Sequence, residues 1–209
     1  LGFKPNLFEA KCERLYLKAK MCDWSEFELL ENDLFQLGIT TPPVRPFALL
    51  SLEDHPERQL IRASNYAIEN YNEDPIHLPA RPKSKPEKIR VGYFSADFRE
   101  HPVSHQISKV LESHDRNKIE VYAYSFEHSR DQMSKRISKT VDHFENVAKI
   151  SDKDVALLAR NNGIDIAIDL MGYTKNARTN IFSFRAAPIQ VNFLGGVESM
   201  GAKFIDYIV

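Results

Sequence analysis

Two histidines four residues apart, His101 and His105, follow a carboxylate in the stretch Ser95-Ala-Asp97-Phe-Arg-Glu-His101-Pro-Val-Ser-His105. Side chains of these types at this spacing suit three roles. An (i, i+4) pair at a helix start can share a metal ion, an imidazole can hold or move a proton near neutral pH, and a histidine can cap a helix while its neighbour packs. Zinc needs a third ligand, and His-Pro-x-x-x lacks the general-base Glu of the metalloprotease pattern, so no metal site is expected. Asp97 can orient an imidazole or accept N–H groups of its own turn, and the residues alone leave both open. His143, in Asp142-His143-Phe144, begins another β-rich run, where a structural histidine is the commoner outcome.

The elements around these residues set where they lie. A β-rich run from Ile89 to Phe94 stops at a polar turn, 95–100, and a helical pattern begins near Pro102, so Asp97 and His101 fall at the carboxyl end of a strand. Open α/β sheets bind ligands there. Gly172-Tyr173-Thr174 follows the apolar run ending Asp169-Leu170-Met171, and Leu194-Gly-Gly-Val-Glu-Ser-Met-Gly201 is a third strand exit. Neither has the G-x-G-x-x-G or G-x-x-x-x-G-K-[ST] spacing, so no dinucleotide or P-loop site is assigned. Together the three exits describe a ligand cleft on one sheet edge.

Strands are expected at 89–94, 119–126, 142–147, 164–170, 189–194 and 204–209, with helices near 103–113, 130–139, 152–161 and 177–184. This alternation predicts an α/β fold with a mostly parallel sheet and helices on both faces, with Val91, Val121, Ile166 and Ile168 in the core. Residues 1–74 read as an all-α segment. A helix is expected over 7–21, a second one carries Phe27, Leu30, Leu34 and Leu37 and ends at Gly38, and a third runs from His55-Pro56 to about Tyr71 with Leu60, Ile61, Ala63, Ser64 and Ala67 inward. Residues 75–88 carry a proline every three or four positions with four basic side chains, the composition of an extended linker. The division expected is therefore 1–74, 75–88 and 89–209.

A chain of 209 residues with 43% hydrophobic content can bury a full core. Its 28 Lys and Arg balance 29 Asp and Glu, so no global field recruits nucleic acid or an acidic membrane. No apolar stretch approaches the roughly 18 residues of a membrane span and no basic-then-apolar leader opens the chain, which points to the cytoplasm. Cys12 and Cys22 face different sides of one helical stretch and suggest reduced thiols rather than a disulfide framework. Leu1 is not Met and Val209 ends inside an apolar run, so a segment of a longer protein is expected.

In order, Ile89-Arg-Val-Gly-Tyr-Phe-Ser-Ala-Asp-Phe98, His101-Pro-Val-Ser-His105, Asp142-His-Phe144, Gly172-Tyr-Thr-Lys-Asn-Ala-Arg178, Arg185-Ala-Ala-Pro-Ile-Gln-Val191 and Asp206-Tyr-Ile208 closely resemble the O-linked N-acetylglucosamine transferases, glycosyltransferase family 41. The likeness is dense over about 88–209. Upstream, Leu17 to Trp24 and Pro46 to Leu50 look like the helical connector of bacterial members with tetratricopeptide repeats. The resemblance implies the Rossmann-like N-terminal half of a GT-B glycosyltransferase, preceded by a small all-α segment. It implies transfer of GlcNAc from the donor UDP-GlcNAc to Ser or Thr hydroxyls of proteins, with inversion, without metal or cofactor, and with a C-terminal half that grips the diphosphate. It places His101, with Asp97, and His143 in the catalytic cleft. His105, Tyr173, Thr174 and Lys175 fall on the substrate and donor side, and Leu194 and Gly195 line the sugar pocket.

One stretch departs from the family. Where members usually read Leu-Gly-Tyr-Pro-Gly-Thr-x-Gly, this chain has Gly196, Val197 and Glu198, which puts a carboxylate where it is expected to face the donor phosphates. The rival reading is a non-catalytic module that binds peptides or partners in a degenerate cleft. A nucleotide-sugar epimerase of similar fold matches the ordered motifs less well.

Overall fold

The computed structural model describes residues 7–25, 34–71, 87–196 and 198–209. Most of the second expected helix (26–33) and of the expected linker (75–86) lies outside the described residues. The chain divides into two compact units, one of residues 1–72 with 198–202 and the other of 73–197 with 203–209.

The larger unit is built on a six-stranded parallel sheet: β1 (Ile89–Ser95), β2 (Ile119–Ser125), β3 (His143–Asn146), β4 (Ile166–Asp169), β5 (Ile189–Asn192) and β6 (Tyr207–Ile208). Their order across the sheet is β3-β2-β1-β4-β5-β6. The chain therefore steps outward from β1 to β3, crosses back, and continues from β4 on the other side of β1. That reversal is the switch point at which doubly wound sheets leave a crevice.

Alternation along the strands sends side chains to two cores. Val91, Tyr93, Val121 and Ala123 meet Val103, Ile107 and Leu111 of one helix (Pro102–Ser113) and Met133 and Ile137 of another (Gln132–Thr140). On the opposite face Phe94, Tyr122 and Tyr124 meet Val155, Ala156 and Ala159 of a third helix (Asp152–Asn161) and Ile181 and Phe182 of a short fourth (Asn180–Ser183). Val91 and Val121 are core as expected, while Ile166 and Ile168 are half-buried at its margin. β6 and the helix at 180–183 are shorter than their apolar patterns suggest. Side-chain acceptors start the helices: His101 at Pro102–Ser113, Asp131 at Gln132–Thr140 and Ser151 at Asp152–Asn161.

In the smaller unit α1 (Phe8–Lys20), a 3-10 turn (Pro46–Leu49) and α2 (Pro56–Asn70) are described. Cys12, Leu15, Leu34, Leu37, Val44, Ala48, Leu49 and Leu52 form its core. Burial pushes the Cys12 thiol up to about 12, whereas Cys22 is exposed. The inward face of α2 differs from the expected one: Leu60 and Ile61 are 48% and 44% exposed, and Arg62 is buried with Ala63 and Ala67. The reason is polar. Arg62 donates to Leu34 O at 2.9 Å and Leu37 O at 2.6 Å and pairs with buried Glu53, so the guanidinium ties the 34–37 turn to α2. Gly201 sits at φ +56 against α2, where a Cβ would lie 2.5 Å from Ser64 N. Only glycine fits there.

Arg62→Ala leaves the Glu53 carboxylate buried with Arg58 as its remaining cation and two turn carbonyls unpaired. The expected loss is about 3 kcal/mol, read as a lower urea midpoint in the fluorescence of Trp24, the one tryptophan of the chain.

Candidate active site

The exits of β1 and β4 flank the switch point, and the candidate residues of the β1 exit are held by a compact set of hydrogen bonds. Asp97 N–H donates to Ser95 Oγ at 2.9 Å, and buried Ser104 donates its hydroxyl to the Asp97 carbonyl. These bonds fix the backbone at Asp97 and leave its carboxylate to the side chains around it. Arg99 Nη2 donates to Oδ1 at 3.0 Å, and His101 Nδ1 lies 3.4 Å from Oδ2. His101 is also the N-cap residue, its Nδ1 accepting from Val103 N–H at 3.3 Å. Its ring is about one-third exposed.

The β4 exit is organised by Asp169, a buried carboxylate. It accepts from Met171 N–H at 2.9 Å, Gly172 N–H at 3.1 Å and the Asn192 amide at 3.2 Å, which turns the chain sharply and joins it to β5. The Met171 thioether reaches the β1 exit, 3.4 Å from both Ser95 Oγ and Ala96 N. Thr174 is half-buried and donates its hydroxyl to Met171 O at 2.7 Å. Tyr173 is buried, while Lys175 is exposed. From the β5 exit, Leu194 and Gly195 both adopt positive φ, 60° and 79°. The loop presses onto the β4 exit so closely that a Cβ on Gly195 would lie 2.3 Å from Leu170 O.

The structure thus brings Asp97 and His101 together, with Thr174, Leu194 and Gly195 on the neighbouring exits of the same edge. His105 is not turned toward His101 as the (i, i+4) spacing suggests. Its Nε2 lies 2.6 Å from Glu100 Oε1, exposed, while the His101 ring turns to Asp97. Among the described residues no three His, Cys, Asp or Glu side chains are grouped to hold a metal ion.

His143 stands apart from the Asp97–His101 pair. It pairs in register with Tyr122, three residues before β3 ends, about 10 Å short of the carboxyl edge. Its ring stacks on Tyr122 at 4.1 Å and leans toward the amino edge, with Nε2 donating to Glu120 at 2.9 Å. Arg90 donates to the other Glu120 oxygen at 2.8 Å. The Arg90 hydrogen bond, and after it that of His143, hold the Glu120 carboxyl below the usual carboxylate range. The Glu198 side chain is buried.

The Glycosyl transferase family 41 model matches residues 21–209. The chain belongs to that family. Within family 41, it is 35% identical over 150 residues, 71% of its length, to a probable UDP-N-acetylglucosamine–peptide N-acetylglucosaminyltransferase of Arabidopsis thaliana. It is 30% identical over 90% of its length to the UDP-N-acetylglucosamine–peptide N-acetylglucosaminyltransferase of Caenorhabditis elegans. A solved mutant of the Thermobaculum terrenum O-GlcNAc transferase superposes with a TM-score of 0.72 and 29% identity over 96% of this chain and 37% of that one. This chain spans 15% and 18% of the plant and nematode relatives.

Three contributors went unassigned in the sequence. Glu127, on the β2 exit, lies 3.7 Å from Arg99 Nε and accepts from Asn176 of the β4 exit at 2.7 Å, so Arg99, Glu127 and Asn176 link three exit loops. Pairs 28 and 49 residues apart leave no local pattern, although a charged residue on each successive exit was visible. Arg178, by contrast, is spent on structure, bonded to Asp152, Val147 O and Ile150 O.

Gly195→Ala forces a left-handed alanine against the Leu170 carbonyl. The expected cost is about 2 kcal/mol, with faster amide hydrogen exchange over 170–174 than in the unaltered chain.

Proposed function

We propose that this chain is the acceptor-side half of an inverting transferase that moves GlcNAc from UDP-GlcNAc to Ser and Thr hydroxyls of proteins. The observation that carries the reading is the Asp97–His101 pair at the switch-point edge, beside Thr174, Leu194 and Gly195, in a chain whose relatives bear names of that activity. Inverting transfer needs the attacking hydroxyl held in line with the anomeric carbon, a path for its proton, and positive or N–H groups for the departing diphosphate. His101 supplies a one-third-exposed imidazole for the hydroxyl, its ring seated between the Asp97 carboxylate and the Val103 N–H. Thr174 and the left-handed Leu194–Gly195 turn shape the wall along which a sugar lies.

The diphosphate grip falls to a C-terminal half of the same protein, so the partners are the nucleotide-sugar donor, a protein or peptide acceptor and that second half. Residues 1–74 serve as the connector, His143 supports the sheet's amino edge, and the protein works in the cytoplasm. Among the described residues no helix is long and apolar enough to cross a membrane.

The test uses the longer protein with UDP-GlcNAc and an acceptor peptide. His101→Ala is expected to lower kcat/KM by about 100-fold through lost positioning of the hydroxyl while the melting temperature stays within a few degrees, because a partly exposed polar ring at a strand exit supports little core. A peptide that binds with no sugar transferred by the unaltered protein would contradict this reading and favour the binding module.

A further inference from the structure

We infer that Arg99 is a positioning residue that sets which ring nitrogen of His101 carries the proton. Nδ1 of His101 stands between two groups with opposite needs. Val103 N–H, at 3.3 Å, needs an acceptor, since the first N–H groups of a helix have no partner within it. Asp97 Oδ2, at 3.4 Å, needs a donor. One nitrogen cannot serve both. Without a proton Nδ1 caps the helix, and with one it serves the carboxylate and leaves the Val103 N–H without that acceptor.

Arg99 tips the balance toward the cap. Its Nη2 donates to Asp97 Oδ1 at 3.0 Å, so a fixed cation already meets the carboxylate charge and weakens its demand on Nδ1. The guanidinium is held from its other side by Glu127, itself anchored by Asn176. The other charged groups nearby are engaged elsewhere: Glu100 with His105, and Asp131 with the N–H groups of Glu100 and Ser134. The neutral ring therefore carries its proton on Nε2, to which nothing among the described residues bonds. His101 then offers the cleft an N–H donor rather than a lone pair. Such a group holds a hydroxyl or phosphate oxygen in place and, in its neutral form, takes no proton through Nε2. That consequence rests on the transferase reading, whereas the tautomer itself does not.

The test needs no turnover. Long-range proton–nitrogen correlation spectra of the 15N-labelled chain, at a pH where its rings are neutral, distinguish the two tautomers. His101 is picked out among the seven histidines by the signals lost in His101→Gln. The unaltered chain is expected to show mainly Nε2–H, Arg99→Ala mainly Nδ1–H, and Arg99→Lys, which keeps the charge, a return toward Nε2–H. Arg99→Gln, with a donor but no charge, is measured beside Arg99→Ala with the same expectation, in case the alanine variant does not fold. Mainly Nδ1–H in the unaltered chain, or mainly Nε2–H in the folded uncharged variants, would overturn the inference. Either result leaves the transferase reading to its own assay.

Discussion

The carboxyl edge of this sheet depends on one buried carboxylate. Asp169 ends β4 by accepting the N–H groups of Met171 and Gly172, and its hold on Asn192 ties that turn to β5. An acceptor-only group at such depth is tolerable because hydrogen bonds replace its water. With the turn fixed, the Met171 sulfur lies under Ser95 and Ala96, and the Leu170 carbonyl sets how near Gly195 can come. Exits of three adjacent strands, β1, β4 and β5, are thereby placed by one side chain that stays away from the surface itself.

Above that base the edge is polar and cross-linked rather than packed. Asp97 divides its oxygens between Arg99 and His101, and Glu127 reaches Arg99 and Asn176 from a third loop. Exposed ion pairs contribute little to stability. On the proposed transferase reading their value is geometric, since transfer tolerates little error in where the attacking hydroxyl lies. The apolar cores on the two sheet faces supply the stability, so polar substitutions at this edge and apolar ones beneath the sheet should separate cleanly in their effects.

Much of this was legible in the sequence for local reasons. The Val, Tyr and Phe run of β1, Pro102 opening the next helix, and the glycines of the β4 and β5 exits each declare themselves within a few residues. Asp97 and His101 were therefore placeable at a strand exit before any coordinates. What escaped were choices settled by distant partners. For His143 the β-rich run suggested a structural histidine and the resemblance a cleft one, and neither foretold Glu120, 23 positions earlier, as the partner of its ring. Leu60 and Ile61 matched an inward helical face, but Arg62 found two carbonyls and Glu53 and rotated the helix toward itself. Arg99 was passed over although Asp97 lies two residues away, because Glu127, its other partner, comes from a loop 28 positions later.

On the proposed reading substrate meets this half at the carboxyl edge, around His101, and not at the amino edge, around His143. Backbone amide shifts of the isotope-labelled longer protein, followed as acceptor peptide is added in the presence of UDP, test it most directly. The largest changes are expected over 96–105, 172–176 and 194–195. Changes concentrated at Arg90, Glu120 and His143, with the 96–105 loop unmoved, would contradict it.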